Sequence, residues 1–222
     1  MPEQQRTDRL KVVLPVAAAD VVDGLAFGAL AVSLGMGVVA PIVMSLLVYS
    51  GSAQYGALAV MSQHGSLGAA VGTAAALNAR YLLMGTTVAP ALGGSLRSRI
   101  GRSLLITDAA WAVAHRGDGR FDVRLLTLCG LMSLSGWTLG TAAGALLGST
   151  VGDPAAFGID AAYPVFFIGL LREHLTDRRA WVLAVVGVLV AVALTPVLTP
   201  GIPILLAAFC GVLAGAVMGE RS

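Results

Sequence analysis

Long apolar runs set off by short basic clusters organise the chain. No side chain between Arg124 and Asp153 is charged, and none between Arg179 and Glu220. Each gap exceeds the roughly 20 residues that take a helix across about 30 Å of hydrocarbon. The second gap holds two crossings, with Thr195-Pro196-Val197-Leu198-Thr199-Pro200-Gly201 as the turn between them, because Pro and Gly end helices. The pattern predicts apolar segments at 12–38, 41–61, 66–92, 103–114, 125–148, 156–171, 181–197 and 201–219. Polar residues interrupt the first three: Asp20, Asp23 and Gly24, then Ser50-Gly51-Ser52-Ala53-Gln54, then Asn78 and Arg80. The expected fold is an all-α polytopic membrane protein, one integral membrane domain over 1–222. It has six to eight membrane segments, with broken or re-entrant helices in the first half.

Basic residues choose between paths, because cytoplasmic loops are enriched in Lys and Arg. The clusters are Arg6, Arg9 and Lys11; Arg97, Arg99 and Arg102; Arg116, Arg120 and Arg124; and Arg172, Arg178 and Arg179. If every segment crosses and the N-terminus is inside, the 97–102 cluster alone falls outside. If 41–61 and 103–114 are re-entrant, six segments cross and all four clusters lie inside. Charge favours the six-span path, and the length of 41–61 favours the eight-span one. Both paths put both termini in the cytoplasm, make 1–11 a cytoplasmic tail and 172–180 a cytoplasmic loop. The six-span path makes 94–102 cytoplasmic too. No cleavable signal peptide is expected, since 1–11 is polar and the run after it reads as structure.

Composition agrees with lipid exposure. The chain is 57% hydrophobic and only 12% charged, about half the charge that covers a soluble domain. Its thirteen Arg and single Lys sit mostly at segment ends, which explains the basic balance without nucleic acid. The glycines recur at helical spacing: Gly136, Gly140, Gly144 and Gly148; Gly211, Gly215 and Gly219; and the pairs Gly24/Gly28 and Gly68/Gly72. Such ladders let helices approach closely in a membrane. Cys129 and Cys210 read as small buried side chains.

Polar groups inside the apolar runs are the candidate chemistry, since each costs several kcal/mol unless paired or hydrated. Asp20 and Asp23 share one broad helix face, suited to meeting an amine, carrying a proton or pairing with Arg80; near the interface they would only orient the helix. Ser50, Gly51, Ser52 and Gln54 lie between two apolar half-helices, where unwinding at Gly51 would free amides for a carboxylate. A packed kink is the plain alternative. Asn78 and Arg80 end the third segment; Arg80 suits a carboxylate in two-pronged fashion, a partner aspartate, or the headgroups. Thr107 or Asp108 would cap a helix, and Asp108 could relay protons. Trp111, Trp137, Trp181 and Tyr163 read as packing or interface anchors, and His64, His115 and His174 as segment-end residues. There is no phosphate-loop, HExxH or GxSxG motif, so neither an enzyme nor a cofactor or metal site is expected.

Taken together, Asp23-Gly24-Leu25-Ala26-Phe27-Gly28, Ser50-Gly51-Ser52-Ala53-Gln54-Tyr55, Leu77-Asn78-Ala79-Arg80-Tyr81-Leu82-Leu83 and Leu105-Ile106-Thr107-Asp108 form a recognisable series. Gly136-Trp137 before Leu139-Gly140 and Gly144, and Gly158-Ile159-Asp160 before Phe166-Phe167, continue it. The series resembles the large subunit of the two-component branched-chain amino acid exporters, the azaleucine-resistance (AzlC) family. Members often carry an acid after the Thr-Asp pair; here Ala109 stands there and leaves Asp108 alone. The resemblance implies export of valine, leucine, isoleucine and sometimes methionine across the cytoplasmic membrane, with a separate small hydrophobic membrane subunit as partner. The expected path takes the solute's carboxylate to freed amides near Ser50–Gln54 or to Arg80, and its ammonium to Asp23. Proton coupling would run through Asp23 or Asp108. A channel or facilitator for another solute, an intramembrane enzyme and a structural subunit are the alternatives.

Overall fold

The computed structural model describes residues 3–117, 119–148 and 175–198, with isolated positions at 165–172 and 202–214. The expected segments 156–171 and 201–219, and His174, fall largely or wholly outside these residues. Every regular element described is helical: α1 (Glu3–Ser33), α2 (Val39–Leu47), α3 (Gly51–Ser62), α4 (Leu67–Val88), α5 (Leu96–Ser103), α6 (Asp108–Ala114), α7 (Val123–Gly148) and α8 (Arg178–Leu194). Two stretches, Arg9–Ser33 and Val123–Gly148, are each long and apolar enough to cross a membrane. The chain divides into two compact units, Met1–Gly51 with Asn78–Asp160, and Ser52–Leu77 with Ala161–Ser222.

The first unit is built on α1 and α7, which run parallel in nearly direct backbone contact. A Cβ on Gly136, Gly140 or Gly144 would meet the carbonyl oxygen of Ala17, Val21 or Leu25, and one on Gly148 would lie 2.8 Å from Ala29 Cα. From the other side, Gly24 abuts the Trp137 carbonyl and Gly28 the Thr141 carbonyl. The ladder and the Gly24/Gly28 pair therefore interlock: each is a face of close helix approach, as its spacing predicts, and the structure makes them partners of one another. Of the other glycine sets, Gly68 meets only Ser66 Oγ at 3.9 Å, and Gly211 meets nothing within 4 Å among the described residues.

Helix α1 is continuous. Asp20, Asp23 and Gly24 do not interrupt it, and the polar N-terminal stretch is helical from Glu3. Gly24 serves the contact with α7 rather than a bend.

Helix α2 runs antiparallel to α7, with Ser45 against Trp137 and Thr141 and, beyond its end, Tyr49 against Gly130. The chain then breaks, but at Val48–Ser50 rather than within Ser50–Gln54. Gly51, Ser52 and Gln54 form the first turn of α3. The unusual backbone belongs to Tyr49, whose φ is 43°. Its hydroxyl donates to the Gly130 carbonyl at 2.9 Å, and this anchor holds a left-handed conformation that a bulky residue adopts only at a cost.

The C-terminal end of α4 returns to the N-terminal end of α7. Val88, Leu92, Ile106, Ala114 and Leu126 share one buried cluster, joined by Met84, Trp111, Phe121 and Val123. Helix α6 begins deeper, since Leu105 backs onto Gly130, and ends beside Leu126. Thr107 caps it by accepting from Ala110 N at 3.2 Å, as expected of that residue. The 94–102 stretch is largely helix α5, capped by Ser95, with Leu96, Ile100 and Leu104 exposed at four-residue spacing beside Arg97, Arg99 and Arg102.

In the second unit α3 packs on the first half of α4, where Gly56 lies against Leu77 and Thr73. Asp177 caps α8 through Ala180 N at 2.7 Å, so 172–180 contains a helix start as well as a loop. Leu171, Leu175, Trp181 and Val185 help to line an apolar hollow of about 190 Å³.

Candidate functional site

Two polar centres lie within the first unit. The first joins α4 to the start of α6. Arg80 Nε donates to Asp108 Oδ1 at 2.9 Å and Nη2 to Oδ2 at 2.7 Å, a two-pronged pair with side chains 24% and 21% exposed. Tyr81 closes the group: its hydroxyl donates to Asp108 Oδ2 at 3.3 Å, and its ring centre lies 5.0 Å from the guanidinium carbon. Helix geometry explains the meeting. Thr107 starts α6, and the first-turn position of Asp108 favours a negative charge. One half-turn before Arg80, Asn78 Oδ1 accepts from Ser50 Oγ at 2.6 Å, tying the break after α2 to α4. The aspartate that Arg80 holds is Asp108.

The second centre lies between α1 and α7. Asp20 Oδ2 and Ser133 Oγ are both buried without a hydrogen-bond partner among the described residues. Ser133 faces Asp20, and Asp23, Tyr49 and Cys129 complete its titratable surroundings. Cys129 is fully buried and Cys210 half-buried.

Next to it is a closed hydroxyl relay. Thr141 Oγ1 donates to the Trp137 carbonyl at 2.8 Å, and Trp137 Nε1 donates to Ser45 Oγ at 3.1 Å. Ser45 and Thr141 are 2.9 Å apart. The single Thr141 proton is committed, so Ser45 must donate to Thr141. Phe27 stacks on Trp137 with ring centres 6.0 Å apart, which gives Trp137 the packing role expected of it.

Ser52 and Gln54 are buried on α3 in the second unit. Gly51 is the first residue of that helix. The sequence pattern gave Ser45 and Ser133 no role, and marked Tyr49 and Tyr81 only as neighbours of the serine-glycine stretch and of Arg80. Ser133 stands one turn before the first rung of the glycine ladder, and Tyr49 directly precedes the serine-glycine stretch; those positions were the available signal.

At the N-terminal end of α7, Asp122 Oδ2 accepts from Arg9 Nη2 and from Arg116 Nη2, each at 2.9 Å, and Oδ1 accepts from Leu125 N at 3.0 Å. Burial pushes the Asp122 carboxyl up, but Arg116, the Leu125 amide and Arg9 outweigh it and hold the group below its ordinary range. Among the described residues no group of three His, Cys, Asp or Glu side chains could hold a metal ion.

Known proteins are similar to this chain over most of its length. An uncharacterized membrane protein of Archaeoglobus fulgidus is 31% identical, covering 93% of this chain and 92% of its own length. Inner membrane protein YgaZ of Escherichia coli is 27% identical, covering 92% of this chain and 86% of its own. No solved structure gives a significant match. Residues 15–151 match the family described as AzlC protein, a span that runs from within α1 to the end of α7 and holds the break at Tyr49 and both polar centres: the chain belongs to the AzlC family.

Proposed function

We propose that the chain is the large subunit of a two-component exporter of hydrophobic amino acids, branched-chain ones foremost, in the cytoplasmic membrane. The observation that carries this reading is the broken α2–α3 connection, pinned by Tyr49 and Ser50 to α7 and α4. A membrane protein tolerates such a break where protein or water satisfies the freed backbone, and such breaks recur at solute sites. Ser50, Gly51 and Asn78 are the proposed solute contacts in the first unit. Arg80, held by Asp108, meets the solute carboxylate only when that carboxylate competes with Asp108 for the guanidinium. Family membership supports transport and a small membrane partner, and the name of the Escherichia coli relative supports an inner-membrane location.

The path supports six crossings with both termini inside. Arg9 pairs with Asp122, and Leu92 and Ala114 pack beside Leu126, so 6–11, 97–102 and 116–124 gather toward one end of α7. That grouping suits a cytoplasmic face. The alternative path would separate them.

Counterflow of labelled valine, leucine, isoleucine and methionine in proteoliposomes tests the proposal, with the chain alone and with its small partner. Exchange that requires the partner and prefers these solutes is expected. Folded, assembled protein that exchanges none of them overturns it.

A further inference from the structure

We propose that Asp20 is a proton-binding site at the α1–α7 contact, with the proton on Oδ2 donated to Ser133 Oγ. Three observations converge on it. Asp20 Oδ2 is buried inside a span and has no hydrogen-bond partner. Facing it, Ser133 is 3% exposed, and its Oγ is buried and unpartnered as well. Among the described residues the titratable groups around Asp20 are Asp23 from α1, Cys129 from α7 and Tyr49 from the α2–α3 break, none of them a cation.

The contrast with the other acids is chemical. Asp108 holds the Arg80 guanidinium, and Asp122 holds those of Arg9 and Arg116. Asp20 faces hydroxyls and a thiol instead. The Tyr49 proton is already given to the Gly130 carbonyl, so it does not serve Asp20. An ionised carboxylate there would be a buried charge beside a second acid, with only the Ser133 hydroxyl to donate to it, at a large desolvation cost. Protonation turns Oδ2 into a donor, and Ser133 Oγ, which lacks a partner, becomes its acceptor. One O–H bond forms on Oδ2 with a proton taken from water. It breaks, returning the proton to water, when α1 and α7 part enough to hydrate the carboxylate. Coupling of that cycle to solute movement rests on the transport reading; the protonation itself does not.

Infrared difference titration of the full chain in lipid nanodiscs tests the site. On titration from neutral to mildly acid pH a protonated-carboxyl stretching band is expected to grow in the parent, to be absent in Asp20→Asn and to be retained in Asp23→Asn. In Ser133→Ala it shifts to higher frequency, because the acceptor is gone. A parent without the band, or a band that survives Asp20→Asn, overturns the proposal. If Asp20→Asn does not fold, Ser133→Ala decides: a shifted band supports the site and an unshifted one rejects it. Transport is scored separately in proteoliposomes. A parent chain that moves no amino acid sinks the transport reading, and the infrared result still stands on its own.

Discussion

Arg80 holds Asp108 in a two-pronged grip across 28 residues of chain, Nε to Oδ1 at 2.9 Å and Nη2 to Oδ2 at 2.7 Å. Removing one partner strands the other charge in a weakly hydrated place. Asp108→Asn or Arg80→Gln is therefore expected to lower stability by about 3 kcal/mol, the low end for a buried pair, because each side chain keeps some exposure. The double variant Arg80→Gln/Asp108→Asn should recover part of that loss, since it leaves no unmatched charge. Thermal unfolding of the four proteins in detergent reads the difference. Equal stability of the single variants and the parent contradicts the expectation.

The α1–α7 ladder makes a sharper demand, because the obstacles are backbone atoms that cannot rotate away. A Cβ at Gly140 meets the Val21 carbonyl, and one at Gly144 meets the Leu25 carbonyl. Gly140→Val or Gly144→Val should cost about 3 kcal/mol or more by overpacking. Gly85 and Gly187 are the controls: a Cβ there meets nothing within 4 Å among the described residues. Alanine at either control is expected to be neutral or favourable by up to about 1 kcal/mol through helix propensity. If the ladder variants melt with the controls, the close packing is wrong.

The Ser45 relay offers a test by subtraction. Ser45→Ala removes both the acceptor of Trp137 Nε1 and the partner of Thr141 Oγ1 inside a buried site. A loss of about 1–3 kcal/mol is expected. Trp137→Phe deletes the indole donor, so its combination with Ser45→Ala should cost less than the two separately. Strict additivity argues that the indole and the serine do not act together.

What the sequence made legible follows from distance along the chain. Glycines four residues apart share a helix face whatever the fold, so Gly136–Gly148 and Gly24/Gly28 could each be read as a face of close approach, though not as partners of one another. The cap at Thr107 is equally local. A break near residue 50 was also visible, but its place was not. Gly51 looked like the hinge because glycine bends cheaply, whereas Tyr49 takes the positive φ because a tertiary bond to Gly130 holds it there. Partners are the least legible. Whether Arg80 meets Asp23 or Asp108 depends on how α6 folds back beside α7, and no spacing encodes that. The same holds for Asp20 and Ser133: a serine in an apolar helix is unremarkable until an aspartate from another helix faces it. Asp20 and Asp23 also looked like interruptions of α1, yet a helix carries both where neighbouring helices partly cover it.

Asp122 gives the pH prediction. Its carboxyl sits below the ordinary value of 3.8, because Arg116, the Leu125 amide and Arg9 together outweigh the opposing effect of burial. A group depressed in the folded state binds fewer protons there than in the unfolded chain. Its stabilisation is therefore complete above the unfolded carboxylate range, about pH 4, and is lost as pH falls through the lower folded value. Arg9→Gln and Arg116→Gln should each raise the pH at which acid unfolds the protein, and the pair should raise it further. Salt separates the two arms. Arg116 is 53% exposed and should be screened, while Arg9, at 21%, keeps more of its effect. Helical circular dichroism followed down to acid pH, at low and high salt, gives both readings. If the double variant unfolds at the same pH as the parent, the bridge from the start of α1 to the start of α7 does not contribute to acid stability.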